Sequence, residues 1–119
     1  MNEARNPKEE PLVFDALERS FSMIESLRKP VHVIQMRDRD LARQIRRAAN
    51  SIALNIAEGR ERTGGDQLQL YRTAHGSAQE VRTALRVARS WGYVSETDIA
   101  PSEELLDRIC AICWRLTRR

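Results

Sequence analysis

LARQIRRAANSIALNIAEG, Leu41 through Gly59, is the stretch that decides the fold. Leu41, Ile45, Ala48, Ala49, Ile52, Ala53, Ile56 and Ala57 recur three or four positions apart, the spacing of one buried stripe on an α-helix. Against that stripe stand Arg46, Arg47, Asn50, Ser51, Asn55 and Glu58, many hydrogen-bonding groups for so alanine-rich a segment. Gly59 is expected to stop the helix, because glycine takes a left-handed backbone without penalty. The segment predicts a central helix whose polar side is either clamped to a neighbour or turned to a ligand.

Working outward, Asp38 or Asp40 can cap this second helix, placed at about residues 39 to 60. Arg60 to Asp66, with Thr63, Gly64 and Gly65, predicts a tight reversal. Thr63 or Asp66 then caps a third helix reaching Trp91, with Leu68, Tyr71, Ala74, Ala78, Val81, Leu85 and Ala88 as its apolar line. Gly92 closes it, and Tyr93 and Val94 are expected to fold back onto the core. Upstream, Phe14, Leu17, Phe21, Ile24 and Leu27 outline a first helix, with Asp15 and Glu18 suited to the positive end of its dipole. Pro30 removes a backbone donor and crowds the preceding turn, so a break is expected near residues 29 to 30, although Val31 and Ile34 keep the spacing. Residues 1–11 read as a flexible arm. After Val94 a polar, acidic connection containing Pro101 is expected, with Ser102 capping a fourth helix and Glu103 and Glu104 in its first turn. Leu105, Ile109, Ile112 or Cys113, and Leu116 form its stripe, and Arg115, Arg118 and Arg119 suit its negative end. Four stripes on short links within residues 1–119 predict one all-α domain, an up-down-up-down antiparallel four-helix bundle.

Composition agrees. Of 119 residues 41% are hydrophobic and 31% charged, a globular balance with the excess charge of long exposed helices. Six aromatics and five glycines are too few for a β-sandwich or barrel. No apolar run approaches the ~18 residues of a membrane span, and the polar start MNEARNPKEEP lacks the features of a secretion signal. A cytoplasmic chain is expected. Cys110 and Cys113 form one CxxC; with only His32 and His75 beside them, no four-ligand zinc site fits in one subunit. Both thiols are expected in the core as small hydrophobes.

The formal charge is +3, and 18 of the 20 basic residues are arginine. Arg39, Arg43 and Arg46 on the second helix, and Arg82, Arg86 and Arg89 on the third, fall at i, i+4 and i+7. Each is a basic line suited to phosphates without base reading, or else a solvated face. A different set, Arg47, Ser51, Asn55 and Glu58 with Ser77 and Glu80, reads as a structural polar network between the second and third helices. In that arrangement Arg46 or Arg47 pairs with Glu80, Asn55 meets Ser77 or backbone, and close helix approach offsets the ~1 kcal/mol cost of Gly76 in mid-helix. Glu58, Glu80 and His75 offer no nucleophile–base–orienter set, and no phosphate loop or Glu-x-x-His pair occurs. No catalytic residue, metal or cofactor is assigned.

The block QIRRAANSIALNIAEG at 44–59, then GSAQE at 76–80 and WGYV at 91–94, resembles the four helix bundle protein family, also called the ribosomal intervening-sequence protein family. The resemblance implies a four-helix subunit assembling as a ring-shaped homopentamer, with no established enzymatic activity. It also implies kinship with the accessory variability protein of diversity-generating retroelements, a pentamer that binds nucleic acid and a reverse transcriptase. Expected partners are therefore further copies of the chain, RNA or DNA, or a protein partner. Leu54, Leu70, Val87 and Trp114, left over from the helical stripes, are available to cover a subunit contact.

Overall fold

A computed structural model describes residues 7–118. It consists of α1 (Glu10–Arg37), α2 (Arg39–Arg60), α3 (Gly64–Ser90) and α4 (Glu96–Leu116). Each helix packs on its chain neighbour and α1 closes on α4, which makes an up-down four-helix bundle of 53 × 22 × 20 Å. Among the described residues no helix is long and apolar enough to cross a membrane.

α2 has the bounds its pattern predicts. Asp38 is its cap, accepting from the Leu41 amide at 3.0 Å, and Leu41, Ile45, Ala48, Ala49, Ile52, Ala53 and Ile56 are buried. Ala57 is exposed, and Gly59 takes the last buried position. Gly59 does not end the helix, which runs on to Arg60. Its role is steric: a Cβ there would stand 2.6 Å from Tyr71 Cε1. α3 ends as expected. Gly92, at φ 80°, turns the chain so that its amide reaches Arg89 O and that of Tyr93 reaches Ala88 O, both at 2.9 Å. Val94 then returns to the core.

Three expectations fail for stated reasons. α1 does not break at Pro30 but continues to Arg37. Burial of Val31 and Ile34, worth about 1.5–3 kcal/mol per side chain, offsets the ~3 kcal/mol cost of the proline. The core line of α1 is Val13, Ala16, Leu17, Met23, Leu27, Val31 and Ile34, while Phe14 and Phe21 are about half exposed; the largest side chains were a poor guide to the buried face. α4 begins at Glu96, not after Ser102. A reciprocal cap starts it: the Asp98 amide donates to Ser95 Oγ and the Ser95 amide to Asp98 Oδ2. Pro101 is therefore inside α4, and Ser102 lies fully buried against α1. The Ser26 hydroxyl is committed to Met23 O, so Ser102 donates to Ser26 Oγ at 2.7 Å. Of the arm expected over residues 1–11, residues 1–6 lie outside the described residues, and Glu10 and Pro11 already belong to α1.

Gln67 closes the α2–α3 corner. It is 4% exposed, and its Nε2 donates to the carbonyls of Gly59 (3.1 Å) and Arg62 (2.8 Å) at the end of α2. Gln67→Leu keeps the volume and removes both bonds. The expected cost is about 1–3 kcal/mol, read as a lower urea midpoint; an unchanged midpoint would show that water satisfies those carbonyls instead.

Cys110 and Cys113 are free and buried on α4, as expected for core thiols. Burial pushes the Cys113 thiol up from 9.0 to about 12. The fold thus favours the protonated thiol, and that contribution is complete below pH 9 and lost as pH rises from 9 to about 12. The loss is at most about 1.4 kcal/mol per pH unit. Urea unfolding of wild type and Cys113→Ala should therefore converge across that window; parallel curves would argue against it. Below pH 9, iodoacetamide should leave Cys113 unmodified in the folded protein and modify it in urea.

Candidate functional site

The polar side of α2 faces the middle of α3. Ser51 is the hub: its Oγ accepts from Ser77 Oγ at 2.7 Å and from Asn55 Nδ2 at 3.0 Å, while Asn55 also donates to Ser51 O. These bonds satisfy half-buried groups that would otherwise each cost ~1–3 kcal/mol. Above them opens a cleft of about 470 Å³ edged by Arg47 and Leu54 on α2 and Glu80 on α3.

The rest of the expected network departs from this arrangement. Neither Arg46 nor Arg47 pairs with Glu80: Arg46 donates to Gln35 Oε1 on α1, and Arg47 and Glu80 have no ion-pair partner among the described residues. Glu58 is turned away and pairs with Arg62 at 2.9 Å. No helix approaches Gly76; an added Cβ would meet nothing within 4 Å. Ser77 makes the helix contact, so the glycine's propensity cost has no return inside the subunit.

The arginine lines fare differently from each other. On α2, Arg39 is exposed, and Arg43 pairs with Asp40 at 2.7 Å in an exposed contact that is worth little. Hydrogen bonds from Arg43 and then Gln44 hold the Asp40 carboxyl below its usual range. On α3 the line faces the acidic start of α4. Arg82 reaches Asp107 Oδ1 at 3.2 Å. Arg89 pairs with Glu96, and Arg86 adds its charge to Glu96 and Glu103. Glu103 is raised by burial and by its bond to Glu96; Glu96 is lowered by that bond and by Arg89.

Burial, followed by the charges of Arg118 and Arg82, lowers the pKa of His75 from its ordinary value. Neither Glu58 nor His75 lines the cleft that Glu80 edges. Among the described residues no group of three or more His, Cys, Asp or Glu side chains could hold a metal.

Sequence reasoning missed Gln67 and the reason for Gly59, both of which shape the end of α2. A glycine one step from the last apolar residue, followed within a dozen positions by a tyrosine on the facing stripe, was the available signal.

Compared with protein-family models, the chain matches the one described as 23S rRNA-intervening sequence protein, over residues 14–115. No curated protein and no solved structure matches it.

Proposed function

The chain belongs to the 23S rRNA-intervening sequence protein family, and on that premise we propose a non-enzymatic, self-associating four-helix scaffold that contacts RNA or DNA non-specifically through arginines. It acts in the cytoplasm as a closed ring, the pentamer that its family resemblance implies.

The observation that carries this reading is the outer face of α2 and α3. Among the described residues Arg47 and Glu80 stand there without ion-pair partners, Leu54 is 67% exposed, and the open space over Gly76 admits a close approach. An apolar group ringed by unused polar ones is typical of a contact surface. If this face met only itself it would close a two-fold dimer; a ring needs a second, different patch. Trp114, 51% exposed on α4, supplies an apolar group for one. Each ring then repeats the exposed arginines, Arg39 and Arg86 among them, once per subunit.

A second reading, a protein-binding assembly factor without a nucleic-acid role, draws support from Arg82–Asp107 and Arg89–Glu96, where arginine charge is spent within the subunit.

Mass in solution by light scattering tests assembly, and filter binding of RNA and DNA across a salt series tests the ligand. A five-fold mass supports the ring, a two-fold mass means the α2–α3 face closes on itself, and a monomer overturns self-association. Glu80→Arg should dissociate the assembly. Affinity that falls with salt supports nucleic-acid contact; none at low salt leaves the assembly factor.

A further inference from the structure

A second concavity, of about 360 Å³, lies between α1 and α2. Its floor is apolar, with Ile24 from α1 and Ile45 and Ala49 from α2. Its rim is cationic and polar, and no carboxylate lines it. Arg28 and His32 come from α1 and Arg46 and Asn50 from α2, each pair four residues apart and so on one helical face.

The charges on this rim are not neutralised locally. Arg28 is exposed, and among the described residues it has no ion-pair partner and Arg46 bonds only the neutral amide of Gln35. The nearest acid in sequence, Glu25, lies outside the groove; it lines a neighbouring concavity that Arg28 and His32 also border, and among the described residues it forms no ion pair with either. Seven residues before Arg28, two turns along α1, Phe21 is 46% exposed and has no ring partner among the described residues. Cations over an apolar floor, with an open aromatic face in line, suit a ligand that joins a phosphate to a flat apolar body. A small inorganic anion would leave the floor unused. A duplex hides its bases from such a floor, whereas a single strand presents base and phosphate together.

We propose that the α1–α2 groove binds single-stranded nucleic acid, with phosphates on Arg28 and Arg46 and bases against Ile24 and Phe21. This rests on the nucleic-acid reading above and relocates its main contact: of the two arginine lines, only Arg46 belongs to the groove.

Fluorescence anisotropy of a labelled oligothymidylate, across a salt series and with circular dichroism confirming that each variant is folded, tests the assignment. Arg28→Ala with Arg46→Ala should weaken binding and flatten the log–log salt slope by about 0.7 per charge removed. Arg28→Lys with Arg46→Lys should keep the slope. Phe21→Ala should lose about five-fold or more at every salt concentration, with the slope unchanged. Annealing the probe to its complement should weaken binding, and thymidine monophosphate should compete better than inorganic phosphate.

The inference is overturned, and the nucleic-acid reading survives, if wild type binds and the Arg28/Arg46 variant is unaffected. Loss on Arg82→Ala, Arg86→Ala and Arg89→Ala alone would place the contact on α3 instead. Equal binding of the duplex, or equal competition by phosphate, overturns the single-strand assignment. A wild-type protein that binds neither strand nor duplex at low salt overturns both.

Discussion

Gly59→Ala is expected to destabilise the subunit and Gly76→Ala to stabilise it, although each removes a glycine from within a helix. Propensity alone favours alanine at both positions by ~1 kcal/mol. At Gly59 the new Cβ would stand 2.6 Å from Tyr71 Cε1, 2.9 Å from Cδ1 and 3.3 Å from Leu70 Cβ. Tyr71 is 1% exposed and hemmed in, so its ring has nowhere to swing and α2 must move off α3. Overpacking of this kind costs about 1–3 kcal/mol; an approach of 2.6 Å to an enclosed ring belongs at the upper end, leaving a net loss of about 2 kcal/mol after the propensity gain. Gly59→Val adds bulk and β-branching and should cost more. In a Tyr71→Ala background the Gly59→Ala penalty should disappear, because the clashing ring is gone. Gly76→Ala meets open space and should gain up to ~1 kcal/mol. Chemical denaturation of each variant as a monomer is the measurement. Shifts in the same direction at both sites would contradict the packing at Gly59.

The second large effect belongs to Ile52→Ala, expected to cost about 2–5 kcal/mol. Ile52 is completely buried in the middle of α2, the helix that packs on both α1 and α3. A cavity there is walled by two neighbouring helices and cannot collapse without disturbing both. Leu54, two residues on, is 67% exposed, and Leu54→Ala should change subunit stability by no more than about 0.5 kcal/mol. Urea midpoints at constant m would display the contrast. A large loss at Leu54 in the isolated subunit would mean that α2 is rotated from the orientation described.

What could be read in the sequence follows from the range of the forces involved. α2 was legible because a dense apolar period and an adjacent aspartate cap act within a few residues, and both Asp38 and the Ile45–Ile52–Ile56 line are where the pattern put them. The two prolines misled, because their local cost was visible while the burial of Ile34 beyond Pro30 and Ile99 before Pro101 was not. Ser95 and Asp98 carry the true start of α4, a capping pair that the sequence reading, fixed on Pro101 and Ser102, does not consider. At the candidate site, spacing placed Ser51, Asn55 and Ser77 in one network but gave Ser77 to Asn55, whereas it bonds Ser51; the destinations of Arg46, Arg82 and Arg89 depend on the neighbouring helix and could not be read from one helix at a time. Gly59 belongs with them, since its constraint is a ring twelve positions away.

The order of helix contacts also bears on how the chain finds this structure. α2 and α3 are joined by residues 61–63 alone and share the most extensive helix contact, whereas α1 meets α4 across most of the chain. Closing a long segment costs more entropy than closing a short one, so the α2–α3 hairpin is the natural nucleus and the α1–α4 seam the late event. Damage at Gly59 then slows folding, while damage at the Ser26–Ser102 seam mainly hastens unfolding.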